Sequence, residues 1–150
     1  MSASPPALNG QPAGHPPLLP TGGQRRRLAL ADRQRPVAVS RGFTRIALAD
    51  WSWPDDGDVL LLVAELLANA ALHGGGPLDL VLDATEQRLR IEVNDASPVL
   101  PVPRKPHLPA RPGGHGLFVV ARTCDRWGAA PQPWGKTVWA ELDMPPGTGS

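Results

Sequence analysis

The sequence is poor in the features that would commit it to a membrane, an oxidising compartment or a nucleic acid. Cys124 is its one cysteine in 150 residues, so no internal disulfide can form and a reducing compartment is expected. Net charge is only +1, which by itself calls for no polyanionic partner. No apolar run reaches the roughly 18 residues of a membrane span, because Glu65 interrupts the longest candidate. No apolar segment preceded by a basic one stands near the N-terminus, so no secretory leader is expected. Aromatic residues are also missing around Arg25-Arg26-Arg27. Without interleaved rings or overall basicity, that run reads as a solvated edge beside a short strand at 28–31, not as a nucleic-acid contact. What these absences leave is a cytoplasmic chain with one core and one site.

Residues 1–24 are rich in Pro, Gly, Ala and Ser without periodicity and read as a disordered tail. The domain is expected over 25–144, with 145–150 as a second tail. Pro36 suits the first turn of a helix, and Val39, Phe43, Ile46 and Ala47 recur at helical spacing as its apolar face. That helix should end near Trp51, before Pro54. Asp55, Asp56 and Asp58 favour the positive end of a second helix, which runs to His73 and stops at Gly74-Gly75-Gly76. Leu78, Leu80 and Leu82, then Leu89, Ile91 and Val93, alternate with polar residues across the short link 84–87, the pattern of an antiparallel hairpin. Six prolines between Ser97 and Pro112 make a long loop, of the kind that serves as a lid. Gly113-Gly114-His115-Gly116 then opens a helix carrying Leu117, Val120, Ala121 and Cys124 on one face. A closing hairpin turns at Trp134-Gly135. The order predicts an α/β two-layer sandwich: a mostly antiparallel mixed sheet with helices on one face.

Within 59–73 every residue is Val, Leu or Ala except Glu65, Asn69 and His73. A helix apolar all round is expected to be buried all round. The i, i+4, i+8 spacing draws the three polar residues into one narrow stripe. Burying an unpartnered carboxylate and amide costs roughly several kcal/mol. The groups therefore either satisfy one another or face a pocket, and three in register favour the pocket. Asp95 follows Leu89, Ile91 and Val93 at a period of two, so it points inward at the end of its strand. The glycines at 113–116 would let backbone N–H groups approach a phosphate at a helix N-terminus. Two other motifs fail on mechanism. "APQPWGKT" at 130–137 lacks the first glycine of a P-loop and runs into a strand. His73, His107, His115 and Cys124 have no zinc-site spacing.

These motifs resemble a known superfamily. "ELLANAALH" is similar to the N-box of the GHKL ATPases, "VNDASP" to their first glycine box and "GGHGL" to their second. With "GKTVW", the set most resembles the bacterial anti-sigma-factor serine/threonine kinases of partner-switching systems, over about residues 28–143. The resemblance implies a Bergerat-type ATP-binding fold using ATP and Mg²⁺. It makes Glu65 the general base, Asn69 the Mg²⁺ ligand and Asp95 the acceptor for the adenine amino group. Gly114, Gly116 and Leu117 would line the phosphate loop, Thr137 would support the adenine end, and His73 would orient the N-box. Ser97 stands where the wider superfamily has glycine. The implied activity is transfer of the ATP γ-phosphate to a Ser or Thr of an anti-sigma antagonist, which regulates transcription. The alternative is a nucleotide-gated binding module without kinase activity. The implied partners are a sigma factor and the antagonist, with a possible homodimer, and no direct contact with nucleic acid or membrane.

Overall fold

The computed structural model describes residues 24–54, 56–73, 75–100 and 116–145. Residues 1–23 of the expected N-terminal tail, most of the proline-rich loop and residues 113–115 lie outside them, and Gln24, expected as the last tail residue, begins the first strand. The elements are β1 (Gln24–Ala29), α1 (Pro36–Asp50), α2 (Gly57–His73), β2 (Pro77–Ala84), β3 (Arg88–Asp95), α3 (Gly116–Thr123), β4 (Arg126–Gln132) and β5 (Gly135–Asp143). Among the described residues the strands form one sheet in the order β1-β2-β3-β5-β4. Every pairing is antiparallel, so the expected mixed character is absent there. The α/β sandwich is as expected: three helices cover one face of the sheet.

Alternation builds the core. Leu80 and Leu82 of β2, Leu89, Ile91 and Val93 of β3, and Val138, Ala140 and Leu142 of β5 point towards the helices. They meet Leu62, Leu66 and Leu67 of α2 and Leu117 and Val120 of α3. At about 25 cal/mol per Å² of apolar area, this interlayer contact is the main favourable term.

Two local expectations fail. The buried residues of α1 are Ser40, Thr44, Ala47 and Leu48, whereas Ile46 is 63% exposed. The helix is thus turned by about one residue, roughly 100°, from the apolar reading. Ser40 and Thr44 are small enough to pack closely, and both hydroxyls are buried without a partner. Patterning by polarity assigns such residues to the surface and so misphases the helix.

The second failure concerns the arginine run, which lies inside β1 instead of beside it. Its partners are acids across the sheet and on α1. Arg25 pairs with Asp83 at 2.8 Å and Arg27 with Asp79 at 2.6 Å. Arg26 reaches Asp50 at 2.7 Å and stacks over Trp51. On the face away from the helices, the register aligns Arg25, Asp83, Arg90, Glu141 and Arg126 across all five strands with alternating sign. Glu141 is fully buried, and accepts from Arg90 Nε at 2.8 Å and Arg126 Nε at 2.9 Å.

Glu92, on the same face, is held less favourably. Burial, and then the nearby Asp83 charge, push its carboxyl above the ordinary value of 4.5, against the pull of Arg25 and Arg90. A raised folded-state value means the folded protein holds that proton more tightly than the unfolded chain. The associated stability is present at low pH and is lost as pH rises above about 4.5. Glu92→Gln removes the titration. Its stability relative to the parent, measured by urea unfolding, should be lowest near about pH 4 and rise towards about pH 8.

Candidate functional site

The polar stripe of α2 emerges graded. Glu65 is half-buried, Asn69 is buried on the face shared with Leu62, Leu66 and Ala70, and His73 is exposed in the last turn. The helix is not buried all round, since Leu61 is 40% and Leu72 49% exposed. Asn69 Nδ2 is nevertheless buried without a hydrogen-bond partner. An orphaned buried amide costs about 1–3 kcal/mol, so the mutual satisfaction of the stripe that would make it merely structural does not hold at Asn69.

Asp95 points inward at the end of β3, as its alternation predicts, and is fully buried. Its Oδ1 accepts from Lys136 Nζ at 2.9 Å and from the Ser97 backbone N–H at 2.9 Å. Lys136 is fully buried too, and its ammonium also reaches the Ser97 carbonyl at 3.3 Å. Asp95 Oδ2 is buried without any partner. One oxygen of the carboxylate is therefore committed, and the other is left to whatever enters.

The turn after β3 explains the serine at position 97. Its N–H closes an Asx turn onto Asp95, and its φ is not positive, so glycine's special conformational freedom is not required there. Gly135, opposite this turn, is required. Its φ is 153°, and an added Cβ would stand 2.1 Å from the Asp95 carbonyl oxygen and 2.7 Å from Ala96 backbone atoms. The start of β5 therefore closes directly over the Asp95 turn.

The remaining expected site residues separate. Lys136 is in register with Asp95 and Thr137 with Asn94. The period of two along β5 puts Lys136 on the helix-facing side and Thr137 on the other. Thr137 donates to Asn94 Oδ1 and accepts from Gln132 Nε2, so its hydroxyl is engaged on the face away from the helices. Leu117 is buried in the core. Gly116 begins α3, and Gly114 lies outside the described residues. Lys136 is the residue that sequence reasoning missed. The signal was present: Val138, Ala140 and Leu142 alternate inward, and the same period reaches Lys136 first.

Among the described residues no group of three or more His, Cys, Asp or Glu side chains is placed to hold a metal. Two of the buried atoms without a partner lie on the predicted site residues: Asp95 Oδ2 is an acceptor that an amino group of a nucleotide base fits, and Asn69 Nδ2 is a donor that fits a phosphate oxygen, whereas a metal ion would take the Asn69 Oδ1. Cys124 offers no competing chemistry: burial, followed by the Asp125 charge, pushes its thiol up to about 12.

Among the described residues, an antiparallel sheet covered on one face by helices defines an α/β sandwich, with buried unpartnered polar atoms at Asn69 of α2 and Asp95 of β3. The family model of the histidine kinase-like ATPase domain matches residues 30–142. The chain belongs to that family and is an ATP-binding domain of the GHKL type. No curated protein matches the chain. Among the described residues no helix is long and apolar enough to cross a membrane.

Breaking a buried ion pair from one side leaves an uncompensated charge, at a cost of about 3–5 kcal/mol. Lys136→Met should destabilise the protein by about that amount. The double variant Lys136→Met/Asp95→Leu should recover much of the loss. Urea unfolding of the two variants and the parent measures both steps, and the order of stability should be parent, double, single.

Proposed function

We propose that the protein is an ATP-dependent serine/threonine kinase that phosphorylates an anti-sigma antagonist and thereby frees or captures a sigma factor in the cytoplasm. The observation that carries this reading is the N-box helix, where the half-buried Glu65 sits one turn before the orphaned Asn69. Phosphoryl transfer requires positioning, neutralisation of phosphate charge and a base for the incoming hydroxyl. In this assignment Asp95 Oδ2 accepts from the adenine amino group, Asn69 holds Mg²⁺ through Oδ1, and its unpartnered Nδ2 is left to donate to a phosphate oxygen. Bound Mg²⁺ supplies the charge neutralisation. Gly114 and Gly116 bring backbone N–H groups to the phosphates. Glu65 takes the proton from the Ser or Thr hydroxyl of the antagonist. His73, exposed at the end of α2, orients the N-box, and a homodimer is the proposed assembly.

One observation favours a second reading, in which the domain binds nucleotide to gate a protein contact and transfers no phosphate. Lys136 engages Oδ1 of the proposed adenine-reading carboxylate at 2.9 Å, so a base that meets Oδ2 meets a carboxylate already tied to β5. Nucleotide entry would then be coupled to rearrangement of the β3–β5 end instead of to chemistry.

The two readings part at Glu65. Glu65→Gln keeps size and polarity and removes basicity, and loss of a general base costs about 10²- to 10⁴-fold in rate. The assay incubates each protein with Mg-ATP and a candidate antagonist, follows phosphate on the partner by mass spectrometry, and measures nucleotide affinity in parallel. The kinase reading expects phosphorylation to fall by that factor while affinity stays within about a few-fold. Unchanged phosphorylation in Glu65→Gln would remove the base assignment. Nucleotide binding without phosphate on any antagonist would leave the gated-binding reading.

A further inference from the structure

We propose that the outward face of α1 is a docking surface for an acidic segment of a partner protein. This goes beyond the kinase reading and stands without it, because it uses no residue of the nucleotide site. Arg35, Arg41 and Arg45, with Pro36, Val37, Ala38 and Gly42, line a shallow open groove of ≈ 680 Å³. No acid lines it.

The arginines of this groove differ from those of the sheet. Arg25, Arg26, Arg27, Arg88, Arg90 and Arg126 each stand within ion-pair distance of an aspartate or glutamate. Arg122 lies over the Phe118 ring, and Arg33 donates to the Ala29 carbonyl. Arg35, Arg41 and Arg45 are exposed and form none of the ion pairs among the described residues. Six arginines are thus spent on holding the fold, and three unspent ones converge on one groove. Arg41 and Arg45 are one helical turn apart and present their guanidinium groups side by side, a spacing that two carboxylates at i and i+4 of a partner helix match bidentately.

The surface between the charges is built for close approach. A Cβ on Gly42 would meet nothing within 4 Å. Val37 and Ile46, 40% and 63% exposed, provide apolar contact along the same helix. From position 35 to 45 the helix rises about 15 Å, enough to seat roughly two to three turns of an amphipathic helix. A nucleic acid fits less well. It would want more cations along its backbone or rings for its bases, and neither lines this groove. A second copy of the chain fits worse, since an isologous contact sets arginine against arginine.

The test uses the full chain and a fluorescein-labelled amphipathic peptide of about 15 residues with Glu at i, i+4 spacing and Leu between. The same peptide with Lys for Glu, and a single-stranded DNA of similar length, serve as competitors. Fluorescence anisotropy at low salt should show saturable binding of the Glu peptide that weakens with added salt. The variant Arg41→Glu/Arg45→Glu should lose about tenfold or more in affinity and should now prefer the Lys peptide. Arg41→Gln/Arg45→Gln should fall between. Thermal unfolding of both variants should match the parent, because the substituted side chains are solvent-facing. The proposal is overturned if the Glu peptide does not bind, if the Glu variant binds it as well as the parent does, or if DNA displaces it with the same dependence on Arg41 and Arg45. Loss of ATP binding in the parent would sink the nucleotide reading and leave this one standing.

Discussion

The end of the sheet is organised by one interaction, the ion pair between Asp95 and Lys136. Neither side chain has measurable exposure, and removing each ion from water costs several kcal/mol by general estimate. Such a pair persists only where its geometry is fixed from several sides. Here β3 and β5 bring the two residues into register, Ser97 adds its N–H to the carboxylate and its carbonyl to the ammonium, and Gly135 lets the opposing backbone close to a distance no side chain would permit. The carboxylate is thereby held with one oxygen spent and the other pointed at a place with no protein donor. A ligand amino group is the kind of donor that completes it.

The parts of this arrangement that a single sequence discloses are those with a clean period. The β2–β3 hairpin was legible because Leu78, Leu80 and Leu82 on one arm and Leu89, Ile91 and Val93 on the other recur at every second position, and α2 because its polar residues fall every fourth position. Asp95 was legible for the same reason, being the next inward residue after Val93. Illegible parts break the equation of polar with outside. Ser40 and Thr44 are buried on α1, so the apolar pattern of that helix pointed about one residue away. Lys136 was passed over because a lysine in a strand reads as solvent-facing, and only the acid across the ladder reverses that. Thr137, the residue favoured by resemblance, lies on the opposite side of β5 for the plain reason that neighbouring residues on a strand face opposite ways.

The far face of the sheet shows what the acids and arginines are for when they are not at a site. Arg25, Asp83, Arg90, Glu141 and Arg126 form a row in which each charge is flanked by opposite ones. Cross-strand pairs of opposite sign stabilise a ladder, and like charges directly opposite destabilise it. A register slip in any one strand would set the row out of phase, so the row discriminates against slipped pairings as well as holding the correct one. Charge pairing does not win everywhere on this face: burial raises the carboxyls of both Asp83 and Glu92 despite Arg25 and Arg90 nearby. Burial there outweighs the attraction.

The same accounting separates α1 from the sheet. Among the described residues, a structural arginine is met by an acid, by an aromatic ring or, at Arg33, by a backbone carbonyl; on the outer surface of α1, Arg35, Arg41 and Arg45 form no ion pair. The helix packs against α2, which carries Glu65 and Asn69. An occupant of the outer groove therefore bears on the element that buttresses the N-box helix, on the side away from α2.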